Sequence, residues 1–95
     1  MAILDPYGNY AAPNFRPMME RIRTASFRAT RLRQGYDEDE VDAFLDYILE
    51  TLRRGQRPPR MQVRCVEFST TRLRPGYEME DVDTLLFEIE RYVCG

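Results

Sequence analysis

Histidine and lysine are missing from this chain, and cysteine is down to two residues. Without histidine it lacks the side chain that most often moves protons and binds metals near neutral pH. No glycine-rich phosphate loop or nucleophile elbow compensates. Cys65 and Cys94 have no metal-ligand spacing, so they read as buried or idle thiols and no disulfide is expected. The carboxylate run Asp37, Asp39 and Asp42 lacks the Gly and distal Glu of a calcium loop. An enzyme is therefore not expected, nor any cofactor or metal. With no lysine, all 14 basic residues are arginine; 16 acids leave a net charge of −2 and no overall pull toward nucleic acid or anionic lipid. Long apolar runs are missing too. Nothing approaches the roughly 18 residues of a membrane span, and the first ten residues do not read as a signal peptide, so a cytoplasmic location is expected. At 95 residues the chain has room for one small domain, or two very small units sharing a core.

What the chain does have is an internal echo. Shifted by 41 positions, Phe27 meets Phe68, Thr30 meets Thr71, and Arg31-Leu32-Arg33 meets Arg72-Leu73-Arg74. Gly35-Tyr36 then falls on Gly76-Tyr77, Val41-Asp42 on Val82-Asp83, Leu45 on Leu86 and Ile48 on Ile89. Such similarity indicates one supersecondary unit used twice, because a single copy cannot bury its own apolar face.

Each copy predicts a helix. Val41, Phe44, Leu45, Ile48, Leu49 and Leu52 form one helical stripe, and Val82, Leu85, Leu86, Ile89 and Val93 repeat it. Asp37 is suited to the N-cap, Glu40 stands at N3 to complete a capping box, and Tyr36 can close on Val41 as a hydrophobic staple. The second start is weaker, with Glu78 in the cap position. Residues 54–60, with a glycine and two prolines, read as a linker between a first unit at 18–53 and a second at 61–95. Residues 1–17 read as an extended arm. A short helix started by Pro17 is expected ahead of the first motif, whereas 61–73 alternates like a strand.

Val41, Leu45, Ile48 and Leu52 step by four, three and four, as do Val82, Leu86, Ile89 and Val93, giving each helix a seam that wants a partner. The fold expected is mainly α with minor β. It comprises two copies of a strand-or-loop plus amphipathic helix, with the helices packed as a parallel pseudo-dimeric pair.

The stretch "IRTASFRATRLRQGYDEDEVDAFLDYI" resembles the N-terminal domain of the DivIVA and GpsB proteins. Their pattern is a short helix, a Phe, a basic loop ending in Gly-Tyr, an acidic cap, then Val-Asp-x-Phe-Leu-Asp. The resemblance covers residues 18–53, and 61–93 repeats it more loosely. It implies a non-enzymatic scaffold or adaptor of cell division, polar growth or wall synthesis that pairs through a parallel coiled coil. Members continue into a long coiled coil and this sequence stops at Gly95, so a tandem of the recognition domain is expected, as an intramolecular pseudo-dimer or a homodimer.

In the GpsB branch a groove beside the short helix receives an arginine-bearing peptide. The matching positions are Tyr36, Asp42 and Asp46, with Tyr77 and Asp83 in the second copy, where Phe87 replaces Asp46 and should alter the ligand. Two carboxylates one turn apart suit a guanidinium, and a tyrosine can wall its plane. The alternative is a solvated acidic face, or pairing with Arg31 and Arg33. In the DivIVA branch the loop before Gly-Tyr touches membrane. Here Leu32-Arg33 and Leu73-Arg74 lack the family's aromatic; they either contact the inner membrane surface or have arginines balancing nearby acids and leucines closing the core. Nucleic-acid binding through Arg53, Arg54, Arg57, Arg60, Arg72 and Arg74 is a further alternative, opposed by the acidic helices.

Overall fold

The computed structural model describes the backbone of Ile3–Leu4, Tyr10–Ala11 and residues 14–94, and the side chains of 14–94. It is mainly helical, with a small four-stranded antiparallel sheet. Near the amino end β1 (Ile3–Leu4) pairs with β2 (Tyr10–Ala11). The rest of the arm expected over 1–17 lies outside the described residues, except its last part, where Arg16 and Pro17 already belong to α1 (Arg16–Arg23). Pro17 sits in the first turn, where a missing N–H costs nothing.

After α1 the chain makes β3 (Ala29–Thr30), an exposed loop, β4 (Gly35–Tyr36) and the long helix α2 (Glu38–Arg53). A turn leads to α3 (Arg60–Arg64), then β5 (Thr70–Thr71), β6 (Gly76–Tyr77) and α4 (Met79–Val93). Of the strand expected from the alternation of 61–73, α3 takes the first four residues and only Thr70–Thr71 are extended in a strand. Pro58 and Pro59 set the backbone for a helix start, and only Val63 of this short helix is buried, so alternation there did not report a two-faced strand. Arg60 belongs to α3 rather than to the linker.

The sheet order is β3-β6-β4-β5. Ala29 lies opposite Tyr77, Gly35 opposite Thr71, and Tyr36 opposite Tyr77 at the centre. β3 and β4 thus pair with strands from the second half of the chain, not with each other. Two glycines make the crossing possible. A Cβ on Gly76 would stand 2.7 Å from the Tyr36 carbonyl oxygen, and one on Gly35 2.9 Å from that of Tyr77, with Thr30 Oγ1 closer still. No side chain fits where the backbones approach this closely.

The bonds around the crossing recur at the same 41-residue offset. Asp37 N–H donates to the Ser69 carbonyl and Glu78 N–H to the Arg28 carbonyl, both at 2.8 Å. Asp37 caps α2 by accepting from the Glu40 N–H at 3.1 Å. The reciprocal half of the expected capping box is absent. The Asp37 N–H is already taken by Ser69, so the Glu40 carboxylate accepts from Ser69 N–H at 2.9 Å instead. Glu78 makes no side-chain cap on α4, matching the weaker start read from the sequence.

Both long helices start at the sheet, and beyond α2 the Arg57 guanidinium donates to the Val93 carbonyl at 3.4 Å. They therefore run in the same sense from sheet to far end. Val41, Leu45, Ile48 and Leu52 of α2 share one buried cluster with Val82, Leu85, Ile89 and Val93 of α4, joined by Phe15, Met18, Ile22 and Val63. One position of the expected seam is corrected: Leu86 is half-buried and Leu85 takes the interior place. Leu86 lies on the side that α3 covers, and five residues shield less than the eight of α1.

Candidate functional site

The tyrosines and aspartates singled out from the sequence do come together, but crosswise. The Tyr36 hydroxyl donates to Asp83 at 2.8 Å, and the Tyr77 hydroxyl donates to Asp42 at 2.8 Å. Tyr36 is therefore not the wall of an Asp42–Asp46 groove; Tyr77 is. The interleaved strands carry each tyrosine over to the other long helix. Partial burial and the bond to a carboxylate both favour the neutral phenol, pushing Tyr36 and Tyr77 up to about 12. Each ring also leans on a phenylalanine, Tyr36 on Phe68 and Tyr77 on Phe27, with centroids 5.3 and 5.0 Å apart.

Asp42 and Asp46 stand one turn apart on α2, where they line a groove of about 520 Å³ between α1 and α2. Its floor is Ile22, Leu45 and Leu49, and Tyr77 and Phe27 close one end. Among the described residues neither aspartate belongs to an ion pair, so the expected pairing with Arg31 or Arg33 does not form. Arg33 instead pairs with Glu78, and Arg74 with Asp37, each reaching across to the other half of the chain.

The corresponding groove beside α4 holds about 230 Å³ and has different chemistry. Asp83 and Leu86 line it as Asp42 and Leu45 line the first, but Phe87, 61 % exposed, replaces Asp46. Arg64 and Arg60 both pair with Glu90, which stands where Leu49 stands in the first groove. This closure escaped sequence reading, although Arg64 is the counterpart of Arg23 and Glu90 of Leu49 in the 41-residue alignment.

Leucines 32 and 73 do not close the core. They are 91 % and 98 % exposed, each at the tip of a loop between strands. Leu32 is moreover left-handed, with φ 60°. A branched side chain held in that region costs roughly 1–2 kcal/mol. Arg28, which the sequence did not single out, donates to Asp81 through its backbone N–H and its guanidinium at 2.8–3.0 Å. These hydrogen bonds hold the Asp81 carboxyl down at about 2.

Cys65 is exposed and Cys94 buried. No cluster of three or more metal-ligating side chains occurs among the described residues, and no described helix is long and apolar enough to cross a membrane. The chain matches no protein-family model, no curated protein and no solved structure.

Proposed function

We propose that this chain is a non-enzymatic adaptor built from two DivIVA-like units that form a pseudo-dimer within one polypeptide. Its groove between α1 and α2 captures an arginine-bearing segment of a protein partner in the cytoplasmic division or wall-synthesis machinery. The observation that carries the reading is the pair Asp42 and Asp46: two carboxylates one turn apart, on an apolar floor, beside Tyr77 and without an ion pair among the described residues. A guanidinium laid on Tyr77 can bond both carboxylates, and charge-assisted bonds of this kind contribute about 1.5–3 kcal/mol each. The tandem arrangement is supported by the offset of 41 that relates the strands, the crossed backbone bonds and the tyrosine–aspartate pairs.

Titration calorimetry with a short peptide carrying one arginine among apolar residues tests the reading. Asp46→Asn should weaken binding about tenfold or more, while Asp83→Asn leaves it unchanged. Equal losses at the two sites, or none at either, would remove the assignment.

A second reading is favoured by one observation. Leu32 and Leu73 project from loops next to Arg31 and Arg72, which suits shallow insertion into an anionic membrane surface. Two weak contacts on one body would reinforce each other. Flotation with phosphatidylglycerol vesicles at low salt decides it: a chain that stays unbound is no membrane scaffold.

A further inference from the structure

The acidic groove does not stop at Asp46. Beyond Leu49 it adjoins a second cleft of about 630 Å³ between the same two helices, and Arg23 lines both. The second cleft has an apolar floor of Phe15, Met19 and Leu52, so the apolar stripe runs on from Leu45 and Leu49. Its rim has the opposite sign: Arg16, Arg23 and Arg53 stand there against the single carboxylate Glu20. Arg23 shares Glu20, and Arg53 shares Glu50, through exposed pairs three residues apart. Such pairs contribute little and yield readily to a better-placed carboxylate. Arg16 has no ion pair among the described residues. Along α2, Asp42 and Arg53 are about 16 Å apart at 1.5 Å per residue.

We infer that the α1/α2 groove reads a two-ended segment, with arginine over Asp42 and Asp46, apolar side chains between, and a carboxylate over Arg16 and Arg53. This rests on the proposed peptide-binding groove and specifies its partner further. A groove with acids in excess at one end and arginines in excess at the other fixes the orientation of its occupant, because the reversed segment would set like charges together. The occupant is therefore an amphipathic peptide with separated charges rather than a purely basic one. As a helix of about eleven residues it would span the distance while laying apolar residues at i, i+3, i+4 and i+7 on the floor.

Fluorescence anisotropy with the full chain and three labelled helical peptides tests this. One carries an arginine and a glutamate eleven positions apart around a leucine stripe, one has that glutamate replaced by glutamine, and one has it replaced by arginine. We expect the first to bind about tenfold more tightly than the second, and Arg53→Glu to erase that difference and improve binding of the third. Arg53 is exposed, so its substitution leaves the core untouched. Equal binding of the first two peptides overturns the two-ended groove while leaving the acidic site standing, provided Asp46→Asn still weakens both. Indifference to Asp46→Asn, or failure of all three peptides to bind, removes the groove reading and this inference together. Self-association that Arg53→Glu abolishes would assign the cleft to a second copy of the chain and overturn the peptide.

Discussion

Tyr36 bonds to Asp83, on the long helix of the other half of the chain, and not to Asp42, six residues ahead in its own. The same exchange puts Tyr77 on Asp42, so the hydroxyl bonds tie the two halves together at the base of both grooves.

These phenols link stability to alkaline pH. Each folded value, about 12, lies above the ordinary value of 10, so the stabilisation is complete below pH 10 and is lost as pH rises from 10 toward 12. Tyrosinate absorbance should show two phenols titrating late, and Tyr36→Phe and Tyr77→Phe should each remove one of them. Titration of Tyr36 and Tyr77 near pH 10 would contradict the crossed pairs.

Acid acts through Asp81. Its carboxyl is held at about 2, below the ordinary 3.8, so the contribution of the Arg28–Asp81 contact is present above pH 4 and fades as pH falls toward 2. Asp81→Asn should flatten the dependence of unfolding on pH in that window. An unchanged acid limb in urea titrations would show that the contact is not maintained in solution.

Gly35→Ala and Gly76→Ala should destabilise the fold by about 1–3 kcal/mol each, since a methyl group meets a backbone carbonyl that cannot swing aside. Chemical denaturation measures this directly. Tolerance of both substitutions would mean that the strands cross less closely.

Neither half should fold alone. A fragment of residues 14–55 has no partner for β3 or β4 and exposes Val41 and Ile48, both buried in the whole chain. Circular dichroism should find little helix in it, and helix should return when residues 56–95 are added. A cooperative thermal transition in the isolated fragment would contradict the interleaved sheet.

Leu32→Asn should stabilise the fold by roughly 1 kcal/mol, because asparagine accepts a left-handed backbone more easily, and should weaken any adhesion to anionic vesicles. If the variant melts no higher than the parent, the loop does not hold its strained shape in solution.

The helices were legible because burial on a helix leaves its period in the sequence: Val41, Leu45, Ile48 and Leu52 could be read directly, as could the Asp37 cap. The shared core followed from the echo at 41 residues. Strand pairing could not be read, since strands of two residues carry no alternation and their partners lie in the other half. The resemblance to the GpsB groove groups Tyr36 with Asp42 and Asp46 of its own unit, while the crossing delivers it to Asp83. For Leu32 and Leu73 the sequence leaves two readings open, and their exposure removes the one in which the leucines close the core. The acidic pair Asp42 and Asp46 was found, but the arginine-lined continuation of its groove needs the packing of α1 on α2 to be visible.

A sheet whose neighbouring strands come from opposite halves of one polypeptide does not come apart on dilution. The short turn after α2 holds the two halves at an effective concentration on the order of millimolar, however scarce the molecule is. Two separate chains would need enough copies to find each other and could exchange partners with relatives. This arrangement stays assembled at a few copies per cell, and because its two grooves are encoded separately, one can change while the other is kept.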